Sequence, residues 1–434
     1  MKILILSAWY HPFIHPRAHR WTALAEHWAA EGHEVHVVCS RHRDCSEESV
    51  LNGVQVHRAG FDSLKEVVYY YLGTANARGR VGVPAHKPGF GARLAAWIYN
   101  RVWKKIYFPD DACIWYWPAR RRAGQLLRRQ KFDVLITVSL PFTAHLAGLS
   151  IGRLAACWLA DIGDPFSFQL KPLSHSSLYG RLGRHLEKRV LQTAWAVAVT
   201  TEFTEEKYRR EFGAEAVAKM DVVPPLLHPW PGPPAAGRTA GTGLKIGYFG
   251  ALYAPVRTPD ALLDLLEKTY VLRPDWRNQL EVHFYGEIFP EFYDRLSAQP
   301  AVRLHGLCSR GQVRAAMQEM DVLLNIGNSS DFQLPSKAVE YLASGKPVVN
   351  LSGSGQDPFA AFFDGILRVL NLKTENGRVG TEEVRRWVHW LETEKKTPDE
   401  AEIRSRIEPY LIENLAAQYL SLLSTSRKHL PEQL

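Results

Sequence analysis

Two series of short apolar runs, each alternating with stretches of helical spacing, flank one segment dense in proline and glycine, which restricts the chain to tandem α/β domains. In the first series, Lys2 to Ser7 has strand character, and Pro16 to Ala30 sets Ala18, Trp21, Leu24, Ala25 and Trp28 at helical spacing. Gly32 closes that helix and Glu34 to Cys39 supplies the next strand. Val54–His57, Phe132–Val138, Ala155–Ala160 and Ala194–Val199 continue the series, as in a Rossmann-like sheet. The segment 228–243 can continue neither a helix nor a central strand. Beyond it, strands are expected over 244–249, 280–285, 302–305, 322–326 and 347–351, and helices over 260–268, 310–319 and 336–343. The expected organisation is a domain at 1–227, a linker at 228–243, a second domain at 244–402 and a helical segment at 403–434.

Composition narrows the function. With 46% hydrophobic and 23% charged residues, general disorder is excluded. The opening apolar run, Ile3 to Leu6, is too short for a leader or a membrane span, and no other run approaches about 18 residues. Five cysteines, scattered and without metal-ligand spacing, suggest a reducing cytoplasm and no structural metal. The net charge of +8 is uneven: up to Leu227 there are 30 Lys and Arg against 20 Asp and Glu, and after it 23 against 25. Residues 78–131 alone carry 13 basic side chains and two acidic ones, Asp110 and Asp111. Within them, 90–107 interleave aromatic and basic residues, which suits peripheral contact with an anionic membrane or a core helix with snorkelling cations. No nucleic-acid motif accompanies the charge.

The chemistry-bearing stretch is Leu334 to Val349. Pro335 suits a first helical turn, so backbone N–H groups at Ser336 and Lys337 would face a phosphate, and Glu340 one turn on could accept from ribose hydroxyls. Gly345 ends the helix and Lys346 to Asn350 forms a strand. A capped helix with a solvated Lys337 satisfies the same pattern. This stretch resembles the donor-site signature of the retaining family-four glycosyltransferases, and Lys2 to Cys39 is similar to their opening. Gly247–Gly250, Phe284–Gly286, Leu304–Gly306 and Met320–Leu324 resemble the landmarks between.

The resemblance implies a GT-B architecture, two Rossmann-like domains facing across a cleft with the nucleotide on the C-terminal one. It implies a hexosyltransferase that moves sugar from a UDP- or GDP-sugar to a glycan or lipid-linked acceptor with retention, in cell-surface polysaccharide synthesis, with no cofactor and no essential metal. Two cations hold the donor diphosphate in the family. Here the Gly-Arg pair is Gly250–Ala251 and the later lysine is Arg257, so Arg257 and Lys337 carry that role. Of the family's two glutamates eight positions apart, Glu340 matches the second, while the first falls on Phe332, leaving Asn328 and Asp331 to meet the sugar. Leu307, after the Leu304–Gly306 landmark, joins the donor set. The family's glycine pair after the first strand is absent, which shifts the phosphate or acceptor loop to Arg17 and leaves Arg20 and Trp21 as packing and surface residues. His145 and Asp164 follow strand ends and could orient the acceptor hydroxyl, or serve as a helix-surface histidine and a capping aspartate. Arg310, at another helix start, serves as a cation outside the site. An epimerase of the same fold and a non-catalytic sugar-nucleotide scaffold are the competing readings.

Overall fold

The structure, a computed structural model, describes residues 1–72, 101, 103, 106–168, 179–228, 243–254, 256–328, 330–353, 355–366, 368–393 and 400–425. Most of the 90–107 segment and most of the 228–243 linker therefore lie outside the described residues. The chain forms two compact units, Met1–Leu226 with Ile412–Leu434, and Leu227–Leu411.

In the first unit, β1 (Lys2–Leu6), β2 (Glu34–Cys39), β3 (Glu48–Leu51), β4 (Val54–Arg58), β5 (Val134–Val138), β6 (Cys157–Ile162), β7 (Ala196–Val199) and β8 (Met220–Val222) form one sheet. Its order is β3-β4-β2-β1-β5-β6-β7-β8, and only the pairing of β3 with β4 is antiparallel. The helices are α1 (Pro16–Ala30), α2 (Leu64–Leu72), α3 (Tyr116–Arg129), α4 (Thr143–Ile151), α5 (Gly180–Thr193), α6 (Glu202–Phe212) and α7 (Ala214–Val217). Both faces of the sheet are covered, which is why β1 is apolar at consecutive positions. Leu4 and Leu6 pack with Trp115, Leu127 and Leu135 on one side. Ile3 and Ile5 pack with Trp21, Leu24 and Trp28 on the other. Pro16 starts α1, where the His15 side chain accepts from the Arg17 amide.

The second unit has β9 (Leu244–Phe249), β10 (Leu280–Tyr285), β11 (Val302–Gly306), β12 (Val322–Ile326), β13 (Val348–Ser352), β14 (Val369–Glu375) and β15 (Arg378–Val379). The order is β11-β10-β9-β12-β13-β14-β15, parallel up to β14, with β15 antiparallel at the edge. Its helices are α8 (Asp260–Leu272), α9 (Pro290–Ser297), α10 (Arg310–Glu319), α11 (Lys337–Ser344), α12 (Pro358–Phe362), α13 (Thr381–Thr393) and α14 (Glu400–Ile407). Among the described residues no helix is long and apolar enough to cross a membrane.

The last helix, α15 (Ile412–Thr425), belongs to the first unit and packs on α1. Leu415, Tyr419 and Leu422 enter the core beside Trp21 and Trp28. At the centre of this contact is the buried carboxylate of Asp161, near the end of β6. It pairs with the Arg17 guanidinium and accepts from Trp21 Nε1 at 3.1 Å and from the Tyr419 hydroxyl at 2.6 Å. Arg20 donates to the Tyr419 oxygen at 2.9 Å and to the carbonyls of Pro224 at 2.6 Å and Val223 at 3.2 Å. Arg20 and Trp21 are thus interior groups, with no surface role for either.

Asp161→Ala should lower stability by about 3–5 kcal/mol, because it strands the Arg17 cation in the interior. Tyr419→Phe, which removes the bonds to Asp161 and from Arg20 and leaves the ion pair intact, should cost about 1–3 kcal/mol. Urea unfolding of the full chain measures both; equal, small losses would show that the carboxylate is not the centre of the contact.

Candidate functional site

In an open parallel sheet, ligands bind beyond the carboxyl ends of the strands where the strand order reverses. In the second unit that reversal falls between β9, which continues outward to β10 and β11, and its other neighbour β12. The loops leaving these strands meet there: Arg257, after β9, donates through Nε to the Asn328 Oδ1, after β12, at 2.6 Å. Asn328 in turn donates to the Gln333 carbonyl at 3.3 Å. Gly250, the first residue beyond β9, lies against the same guanidinium, since a Cβ there would stand 3.5 Å from Arg257 Nη1. Gly286, beyond β10, has φ +145 and would drive a Cβ to 2.2 Å from the Gly250 carbonyl, so a residue without a side chain is required. At Ala251, where the resemblance expects another cation, the carbonyl accepts from the Tyr248 hydroxyl at 3.0 Å.

The helix expected over 336–343 is α11, whose first turn carries no side-chain cap and whose Gly345 ends it at φ +62. Ala338 N donates to the Pro335 carbonyl at 2.9 Å, so the proline does sit in the opening turn. Ser336 is exposed at that end. Lys337 Nζ donates to Glu340 Oε2 at 2.6 Å, so the two residues assigned to phosphate and to ribose are joined in one pair. Tyr341, next along α11, is buried, and its hydroxyl donates to the Leu324 carbonyl at 3.0 Å and accepts from the Phe249 amide at 3.3 Å. Burial first, then Tyr248, holds its hydroxyl well above the ordinary tyrosine range, with Glu340 raising and Arg257 lowering it. Phe332 is buried, Asp331 is half-buried in the same loop, and Leu307 is exposed after β11.

Arg310 lies in this neighbourhood. Burial lowers its guanidinium from the ordinary arginine value, and the charge of Glu340 raises it. Arg310 and Glu340 are thus within electrostatic reach of one another. The signal was present: Ser309 and Gln312 form a capping box that sets Arg310 in the first turn of α10, directly after the loop holding Leu307. Tyr248 and Gly286 lie within the landmark stretches, but their roles arise only from close approach between loops.

The first unit has the same reversal, between β1 and β5, and fills it from within. Arg17 donates through Nε to the Ser139 carbonyl at 2.9 Å, pairs with Asp161 and is 8% exposed. Burial, then Arg20, pushes its guanidinium down to about 10, still cationic at neutral pH. Its charge is thus met by the protein, contrary to an open phosphate loop. His145 is fully buried, on the core side of α4. Its Nδ1 lies 2.8 Å from the Thr137 hydroxyl, which accepts from Trp158 Nε1 at 2.9 Å, and Nε2 has no hydrogen-bond partner among the described residues. A fully buried histidine neither orients an acceptor nor lies on the helix surface, so both expectations for it give way to an interior packing role. Asp164 is half-buried within the electrostatic reach of Arg17. The loop after it is pinned by buried Glu187, which accepts from the Phe166 and Ser167 amides at 2.7 and 2.9 Å.

Two doubly covered, almost wholly parallel sheets, with charged loops gathered at a strand reversal, define a GT-B protein. Solved structures agree. The chain matches sucrose-phosphate synthase from Thermosynechococcus elongatus at 13% identity and TM-score 0.65, covering 99% of this chain and 100% of that one. It matches HepE from Anabaena in complex with UDP and glucose at 14% and 0.57, covering 98% and 100%. A lipopolysaccharide outer core galactosyltransferase, WaaB, matches at 14% and 0.54, covering 98% and 99%. At such identities the likeness establishes the fold. Residues 18–225 match the glycosyl transferase 4-like domain, so the chain carries a domain of this glycosyltransferase type. Among curated proteins none matches.

His145 provides a pH test of its interior role. Burial first, then the charge of Arg17, pushes the ring down to about 3. Below about 6.5 the unfolded chain gains a proton that the folded ring refuses. The site's contribution is therefore complete above that value and is lost as pH falls, by about 2 kcal/mol between pH 7 and 5. The stability difference between the parent and His145→Gln should shrink by that amount across this range; a constant difference would show that the ring titrates normally.

Proposed function

We propose that the chain transfers a hexose-type sugar from a nucleoside-diphosphate sugar to a glycan or lipid-linked acceptor, with retention at the anomeric carbon, in the assembly of a cell-surface polysaccharide. The observation that carries this reading is the convergence of Arg257, Asn328 and Gly250 at the strand reversal of the second unit, together with the Lys337–Glu340 pair on α11. Likeness to HepE, whose structure holds UDP and glucose, favours a uridine diphosphate donor.

In this reading Arg257 and Lys337 receive the diphosphate, aided by the backbone amides opening α11. Gly250 lets the phosphates approach the main chain, and Ser336 stands at the helix opening. Glu340, released from Lys337 when phosphate takes that cation, accepts from the ribose hydroxyls. Leu307 and Arg310 flank the nucleoside, and Asn328 and Asp331 meet the sugar. As the bond from the anomeric carbon to the phosphate oxygen breaks, its electron pair stays on the diphosphate, where the two cations stabilise the growing charge. The acceptor oxygen forms its bond on the same face, and its proton passes to a phosphate oxygen of the leaving group.

Removing one such donor typically costs about 3 kcal/mol of transition-state stabilisation, on the order of a hundredfold in rate. Arg257→Ala and Lys337→Ala should each show this loss in transfer at subsaturating donor. Melting should barely change for Lys337→Ala, because a partly exposed pair contributes under about 1 kcal/mol. Arg385, an exposed cation of α13 near Glu382, is the control for loss of charge. Parental rates in both site variants would put the diphosphate elsewhere. Glu340→Ala should weaken nucleotide-sugar binding in calorimetry at unchanged melting temperature, and unchanged affinity would remove its ribose role.

A further inference from the structure

A second concave surface lies wholly within the first unit. It is a groove of about 970 Å³ running between the end of β4, the outer side of α3 and the end of α4. Seven arginines and no lysine line it, against two glutamates, a balance of plus five. Part of the basic segment noted in the sequence is thereby gathered into one cavity. The two glutamates are already engaged, Glu47 with Arg41 at 2.5 Å and Glu48 with Arg122. Arg120, Arg121, Arg128 and Arg153 pair with no carboxylate among the described residues. Beside them Trp117 is 66% exposed, with the Arg120 guanidinium 5.4 Å from its ring centroid.

We propose that this groove binds an acidic glycan, a sugar chain bearing carboxylate groups. Guanidinium forks match carboxylates with two parallel hydrogen bonds, and an ammonium does not, so a wall whose cations are all arginine suits planar anions. Trp117 offers a flat apolar face of the kind on which the C–H side of a sugar ring rests. A membrane surface is a poorer fit, because interfacial binding needs a broad apolar face and Trp117 is the exposed large apolar side chain of this wall. Single-stranded nucleic acid is a poorer fit as well, since it is held by stacking successive bases on several aromatic rings. No group here belongs to the donor site, so binding is separable from transfer.

The full-length protein, titrated calorimetrically with hexagalacturonate, should bind at low salt and progressively less as salt rises, while neutral maltohexaose should not bind. Arg121→Ala/Arg128→Ala/Arg153→Ala, which alters exposed side chains, should lower the affinity roughly tenfold or more at unchanged melting temperature. Trp117→Ala should weaken binding without changing its salt dependence. Equal binding of the neutral glycan, or parental affinity in the triple variant, would overturn the proposal. So would retention by phosphatidylglycerol vesicles with no binding of hexagalacturonate.

Discussion

A buried carboxylate with a cation and two hydroxyl or indole donors around it is the constraint on which the first unit depends. Asp161 is the penultimate residue of a central strand, Arg17 and Trp21 lie on the first helix, and Tyr419 comes from the last. An ion pair removed from water is stable only when its remaining lone pairs and protons are satisfied, and here they are met by groups more than a hundred positions apart. The first strand can occupy the middle of its sheet, with one face sealed by α1 and α15, because this polar centre is complete.

That completeness has a functional consequence. Both units reverse their strand order beside their first strand, and both put an arginine in the loop or helix that follows it. In the first unit the guanidinium is held by an aspartate and a main-chain carbonyl and is removed from solvent. In the second, Arg257 donates to the neutral amide oxygen of Asn328, pairs with no carboxylate among the described residues and stays half-exposed. An amide leaves the cation's charge uncompensated, so it remains available to an anion. The same topology therefore yields a structural junction in one unit and a candidate phosphate site in the other.

Charge was legible as an asymmetry between the two halves of the sequence, but its placement was not. Four arginines of the basic segment turn into one groove alongside others contributed by β4, the turn after α4 and the loop after β2. A linear count cannot separate cations that line a concavity from those spread over a convex surface, because the difference lies in which distant segments complete the wall. In the same way Lys337 and Glu340 could be assigned to a helix start, yet their mutual pair and the nearness of Arg310 depend on how α10 and α11 pack.

By itself the sequence determined the two α/β sheets, since a strand buried on both faces must be apolar at consecutive positions, and runs such as Ile3–Leu6 and Val322–Ile326 have few other homes. It also determined the helix stops at Gly32 and Gly345, where a positive φ favours glycine. Three of the four edge strands escaped it: β3 alternates between exposed and partly buried positions, β8 spans three residues, and β15 two, too little pattern to distinguish from loop. Only the tertiary structure decided that Arg17 faces inward and Arg257 toward the strand reversal, that His145 belongs to the core, and that Asp161 joins the two ends of the chain. Local periodicity records how deeply a residue is buried, whereas the partner of a buried charge is chosen by segments remote in sequence that meet only once the sheets have formed.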